Sequence, residues 1–258
     1  MESINESKEI KLEGKAARPE LAEGDEVMLS VNNLTVVAGK TKLIEDISFE
    51  VKRGDVLAII GPNGAGKTTL FRALLSMTPY QGEVAWKKDV RIGYVPQRME
   101  IETDVPLTVL EFLRLRGTAN FSLEKAKEAI KSVLLPETIL NSGLGEISVG
   151  QRQRILIAWS LLGKPEVLLF DEPTADIDIR GQESIYQLLH HLQDKYNLTV
   201  ILISHDLNIV YKYAELVLCL NRQKICFGPP QDVLSPDQMQ KLYGGEHSFY
   251  HHLDEHQH

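Results

Sequence analysis

Gly61-Pro62-Asn63-Gly64-Ala65-Gly66-Lys67-Thr68-Thr69 decides the fold. The stretch fits G-x-x-x-x-G-K-[ST], with Gly61, Gly66, Lys67 and Thr68 in the required places. Just before it, Val56-Leu57-Ala58-Ile59-Ile60 reads as a short buried strand, and Lys67 to Leu75 reads as the helix that leaves it. Glycines let successive N–H groups curl around phosphate oxygens without a Cβ clash, and the first N–H groups of a helix have no partner inside it. Lys67 is then placed to reach the β- and γ-phosphates of a nucleotide, with the Thr68 hydroxyl as a Mg²⁺ ligand. A glycine-rich turn without a ligand is the plainer alternative, and the strand before and helix after argue against it.

A chain of 258 residues suits one large domain, or one domain with an inserted lobe. A net charge of −8 argues against a general polyanion binder, so no nucleic acid partner is expected. No run approaches the roughly 20 apolar residues of a membrane span. Residues 1–26 are mixed-charge, without the apolar core of a signal peptide, and read as a flexible N-terminal extension of a cytosolic chain. Cys219 and Cys226 lie in apolar, strand-like segments and read as two buried thiols on neighbouring strands, ahead of a disulfide or a metal pair.

Working outward from the loop, strand-like pieces occupy Val27–Val31, Lys42–Ile44 and Ile47–Val51 before it, and Gly82–Ala85 and Arg91–Val95 after it. From about Arg98 to Leu162 the pattern turns helical; Leu123, Ala126, Ile130, Val133 and Leu134 share one face, with Ser122 as N-cap. Strand pattern resumes at Val167–Phe170. A helix with Ile185, Leu188, Leu189 and Leu192 on one face follows, then strand Thr199–Ile203. The alternation predicts an α/β core with parallel strands and an inserted helical lobe.

Two further stretches carry chemistry. Val167-Leu168-Leu169-Phe170-Asp171-Glu172 is an apolar strand ending in two acids. In nucleotide hydrolases the first acid at such a place holds Mg²⁺, and a second beside the γ-phosphate can take a proton from water. Ile147-Ser148-Val149-Gly150-Gln151 places Ser148 as an N-cap, able to offer hydroxyl and backbone N–H groups to an anion. Alone, that stretch reads as a capped amphipathic helix.

With Tyr94-Val95-Pro96-Gln97, the run Asp171-Glu172-Pro173-Thr174 leading to Asp178, and Ser204-His205-Asp206 added in order, the chain resembles the ATP-binding subunits of ABC transporters across about residues 27–243. The resemblance implies a P-loop NTPase core, α/β with a mixed sheet, and a helical subdomain inserted at about 98–162. It implies that the loop 61–69 binds ATP, that Thr68, Gln97 and Asp171 surround Mg²⁺, that Glu172 is the general base, and that His205 contacts the γ-phosphate. Ser148, Val149, Gly150 and Gln151 form its signature, facing ATP bound in the other subunit of a homodimer, and Asp178 lies in its D-loop. The family signature has Gly where Val149 stands, so a helical φ and retained activity are expected there. Thr35-Val36-Val37-Ala38-Gly39 lacks the family's adenine-stacking aromatic, leaving Val37 for apolar contact.

Arg91 to Gln97, Leu107-Thr108-Val109 with Phe112-Leu113-Arg114-Leu115, and Cys219-Leu220-Asn221 with Ile225-Cys226 look more narrowly like the bacterial zinc-uptake ATPases. That implies an integral membrane permease, an extracytoplasmic metal-binding protein, and a peripheral place on the cytoplasmic face of the membrane. A manganese or iron importer of the same architecture is the alternative, and a soluble ABC ATPase the remoter one. His247, His251, His252, His256 and His258 make 244–258 a His-rich tail, suited by ligand type to zinc, with a solvated end that has no part in transport as the favoured reading. His190-His191, on the helix after the acids, reads as a partly exposed helix face.

Overall fold

The computed structural model describes residues 26–97, 106–117, 121–172 and 179–244. The tail histidines, Asp178 and residues 1–25 lie outside the described residues. Five parallel strands form the centre: β3 (Val56–Ile60), β5 (Ile92–Val95), β6 (Val167–Asp171), β7 (Thr199–Ile203) and β8 (Leu216–Asn221). With antiparallel β9 (Gln223–Gly228) at the edge, the spatial order is β5-β6-β7-β3-β8-β9. β3, β6 and β7 are buried at every position, which is why they read as unbroken apolar runs rather than alternating ones.

Alternate residues of these strands feed two cores. Val56, Ala58, Ile60, Leu168, Phe170, Val200 and Leu202 face one side, packed against α5 (Ile179–Tyr196) and the helical lobe. Leu57, Ile59, Val167, Leu169, Ile201 and Ile203 face the other, packed against helix α1 (Lys67–Leu74) and a separate antiparallel sheet. That sheet runs β2-β1-β4, from β1 (Val27–Ala38), β2 (Thr41–Lys52) and β4 (Gln81–Trp86). β1 and β2 are single long strands where the sequence suggests shorter pieces, because bulges absorb their polar interruptions. Asp46, at φ 52, is one such point; it accepts Asn33 Nδ2 at 2.7 Å while its N–H donates to Thr35 Oγ1.

The lobe comprises α2 (Val109–Arg114), α3 (Leu123–Ser132), a helical turn at Glu137–Asn141, and α4 (Val149–Leu161). Ser122 caps α3 as expected, accepting the Lys125 N–H. Its buried face is Ala126, Ala129 and Ile130, continued by Val133; Leu123 and Leu134 are exposed, contrary to the helical-face reading. Leu134 adopts φ 58 just past the helix, and that left-handed turn takes its side chain out of the stripe. The expected face of α5 is as read, with Ile185, Leu188, Leu189 and Leu192 all buried and His190 and His191 exposed. Arg154 of α4 ties lobe to core, donating to Val133 O at 2.7 Å and Ser184 Oγ at 2.6 Å.

The cysteines require a correction. They do lie on neighbouring strands, β8 and β9, but Cys219 stands directly opposite Cys226 with Cα atoms 4.8 Å apart, and the pair is joined as a disulfide. The turn at Asn221-Arg222, with Arg222 at φ 62, sets a register that puts the two sulfurs face to face. The chain then closes through α6 (Leu207–Tyr213), which precedes β8, and α7 (Pro230–Val233) and α8 (Pro236–Tyr243), which follow β9.

Candidate active site

Four loops leave the carboxyl ends of parallel strands β3, β5, β6 and β7, and they carry Gly61–Thr69, Gln97, Glu172 and His205. Open α/β sheets bind ligands at this edge. In the β3 loop, Gly66 caps α1 with φ 100, and a Cβ there would stand 2.5 Å from Ile44 Cγ2. Gly61 leaves no room either: a Cβ would fall 2.0 Å from Leu220 O. Pro62 is half-buried, Asn63 and Gly64 face solvent, Ala65 is buried, and Thr68 and Thr69 are half-buried. Lys67 is buried at the base of the loop, donating to Gly61 O at 2.9 Å and Pro62 O at 3.1 Å. Burial pushes its pKa down against the pull of Glu172 and Asp171.

Glu172 is the point of convergence. Its Oε2 accepts Gln97 Nε2 at 2.7 Å, its Oε1 lies 2.5 Å from His205 Nε2, and Lys67 Nζ stands 4.0 Å from Oε1. The backbone of Glu172 is left-handed at φ 49, so the chain turns sharply as it leaves β6. His205 is held from behind. Ser204 Oγ accepts both the Tyr186 hydroxyl and the Asp206 N–H, and Asp206 Oδ1 caps α6 through Asn208 and Ile209.

Asp171, one residue back, is buried. Its Oδ1 lies 3.4 Å from Thr68 Oγ1 and its Oδ2 3.4 Å from the Tyr94 hydroxyl. Burial, then the neighbouring Glu172 charge, pushes the Asp171 pKa up, with Thr68 and Tyr94 opposing. Tyr94 is raised to about 12 by burial and by Asp171. A hydroxyl, a carboxylate and the amide oxygen of Gln97 are the hard oxygen donors that Mg²⁺ takes, so the set fits that ion. Tyr94 carries no role in the sequence reading; a tyrosine three residues before Gln97 on the strand beside β6 is the signal that could have found it.

Ser148 to Gln151 stand apart. Ser148 Oγ accepts the Gln151 N–H and Gln151 Oε1 accepts the Ser148 N–H, a reciprocal cap that starts α4. Among the described residues their hydrogen bonds stay within this cap and the first turn of α4. Val149 is 51% exposed and does not have positive φ, as expected for the first residue of a helix. Val37 is exposed near the β1–β2 turn.

Residues 44–175 match the family described as ABC transporter. The chain belongs to that family. As an ABC ATPase it binds and hydrolyses ATP. Two curated relatives carry the name zinc import ATP-binding protein ZnuC. That of Mannheimia succiniciproducens is 36% identical over 236 residues, covering 90% of this chain and 88% of the relative. That of Haemophilus influenzae is 38% identical over 221 residues, covering 85% and 81%. Among solved structures, one described as a metal-chelate-type ABC transporter in an inward-facing conformation superposes with a TM-score of 0.76 at 28% identity, covering 84% of this chain and 89% of that one. An ATP-binding cassette of an ABC transporter in its ADP conformation also gives 0.76, at 26% identity, covering 85% and 99%. Among the described residues of this ABC ATPase, no helix is long and apolar enough to cross a membrane.

Proposed function

We propose that this ABC ATPase energises import of a divalent metal ion, zinc, through a separate membrane permease. The similarity to zinc import ATP-binding proteins along 85–90% of the chain carries the reading. The same likeness favours zinc over manganese or iron. The ATPase domain spans 27–243 with the helical subdomain 98–162 inserted, and it sits peripherally on the cytoplasmic face of the membrane.

In this reading the loop 61–69 and Lys67 hold the ATP phosphates, and Thr68, Gln97 and Asp171 hold Mg²⁺, which supplies charge neutralisation at the phosphates. Glu172 takes the proton of the attacking water. His205 and Gln97 orient its carboxylate, and His205 also addresses the γ-phosphate. The cap at Ser148, with Val149, Gly150 and Gln151, serves the ATP of a second copy, and Asp178 lies at the seam. Two chains then close head to tail in a homodimer. The helical subdomain receives the permease, which takes metal from an extracytoplasmic binding protein, and no nucleic acid takes part. For the tail histidines at 247, 251, 252, 256 and 258 a solvated end is the favoured reading in transport; zinc sensing or buffering is the second, and equal ATPase stimulation with and without residues 246–258, at low and high zinc, would end it.

The decisive experiment measures zinc, manganese and iron in metal-limited cells lacking this chain, with wild type and Glu172→Gln returned separately. A selective zinc deficit, restored by wild type alone, is the expected result. A manganese or iron deficit would replace the substrate, and no deficit would end the importer reading.

A further inference from the structure

The phosphate loop is held on its outer side by one residue of a distant hairpin. Asn221 and Gln223 pair where β8 turns into β9, which leaves Arg222 alone at the tip, with φ 62. Its N–H donates to Ala65 O inside the loop at 2.8 Å, and its carbonyl accepts the Glu45 N–H of β2 at 2.7 Å. The same part of β2 closes on the loop directly: a Cβ on Gly66 would stand 2.5 Å from Ile44 Cγ2 and 3.0 Å from Leu43 O. Leu220, two residues before the tip, backs Gly61 in the same way. The tip is itself anchored. Asn221 Nδ2 donates to Leu242 O at 3.2 Å, and Gln223 Nε2 donates to Glu45 Oε2 at 3.1 Å.

The bond to Ala65 sets a direction as well as a distance. Among the described residues no peptide bond is cis, and in a planar trans peptide the C=O and the next N–H point opposite ways. With Ala65 O turned out to Arg222, the Gly66 N–H faces away from the hairpin. Gly66 is the N-cap of α1, so that N–H is one of those with no partner inside the helix.

We propose that Arg222 is a positioning residue of the nucleotide site, whose main-chain N–H holds the Ala65–Gly66 peptide with the Gly66 N–H turned toward phosphate before ATP arrives. The proposal rests on the reading of loop 61–69 as the ATP phosphate site. A flipped peptide would present a carbonyl oxygen to an anion in place of a donor. The bond that prevents the flip lies on the outside of the loop and does not compete with ligand. Preorganisation of this kind shows in affinity, because the ordering has been done before the ligand binds. A contact made alike in the ground and transition states moves KM and leaves kcat alone. The Arg222 side chain is exposed and has no part in this; the backbone and its left-handed turn do the positioning.

Position 222 is filled by nonsense suppression with one side chain carried either on an α-amino acid or on the matching α-hydroxy acid. The two full-length proteins then differ only by an N–H exchanged for an ester oxygen. ATP affinity by calorimetry, and the ATPase KM and kcat, are measured for both, beside Arg222→Gly, Arg222→Val and Lys67→Ala. Loss of the donor should raise Kd and KM about fivefold over the amide twin, with kcat within about twofold. Arg222→Gly keeps the N–H and the left-handed turn and should match wild type, whereas Arg222→Val, whose branched side chain resists φ 62, should behave like the ester. Where the ester protein folds, its result decides; where it does not, the contrast between Arg222→Val and Arg222→Gly decides. A Kd and KM within about twofold of the reference in the deciding comparison would overturn the proposal. So would an equal rise in Arg222→Gly, which would put the effect in the side chain. Wild-type ATP affinity in Lys67→Ala would end the loop reading and the proposal with it; a normal ester protein beside an impaired Lys67→Ala would end the proposal alone.

Discussion

His205 Nε2 meets Glu172 Oε1 at 2.5 Å, so the carboxylate leaving β6 is pinned by the imidazole leaving β7. With Glu172 ionised, His205 donates from Nε2, and Gln97 donates to the other oxygen. A base held from both sides loses no freedom when it takes a proton.

Glu172→Gln keeps the shape of this cluster and removes its basicity. Turnover should fall about 100-fold or more, with ATP binding retained and an ATP-dependent dimer seen by size-exclusion chromatography. Lys67→Ala should act on the other side of the equation, weakening ATP affinity at least about tenfold by calorimetry.

Asp171→Asn exchanges function for stability. The folded-state pKa of Asp171 lies above its ordinary 3.8, so its ionised form is penalised by folding. That penalty is absent below the unfolded pKa and appears as pH rises through the folded one. At pH 7.5 the variant should melt about 2–4 °C higher than wild type, a gain that shrinks as pH falls toward 4, while ATPase activity is lost. A lower melting temperature for Asp171→Asn at pH 7.5 would contradict the electrostatic account.

Val149 begins α4 without needing a left-handed backbone. Val149→Gly should therefore bring no gain in fold, lowering the melting temperature by about 1–4 °C through lost helix propensity. ATPase activity should stay within about threefold of wild type, since Gly is what the family signature has at this place and the cap made by Ser148 and Gln151 is kept.

The disulfide makes a countable prediction. Cys219 and Cys226 are the only cysteines, so denatured protein should show no free thiol before reduction and both after it. Reduction should cost about 2 kcal/mol in denaturant unfolding, the scale for a short closed loop.

The parallel core was legible because strands buried on both faces leave apolar runs, as Val56–Ile60 and Val167–Phe170 do. The site was legible where chemistry fixes residue type: Lys67, Asp171, Glu172 and His205. Bulged β1 and β2 were read as fragments, since the bulge at Asp46 breaks the two-residue period. The disulfide hid in a hairpin register that spacing alone leaves open. A helical wheel misplaces Leu134 because periodicity alone does not mark where the helix stops. Tyr94 acts through Asp171, 77 positions away, and its place three residues before Gln97 is its one local mark.

The central strand has a consequence for synthesis. β3 is flanked by β7 and β8, and Val56 N–H bonds Glu215, 159 positions later. The phosphate loop therefore leaves the ribosome well before the strands that wall it. A growing chain carries the motif through all of that interval without owning the site. ATP can stabilise the folded domain but cannot template its folding, and the apolar β3 waits for partners until β7 and β8 have been made.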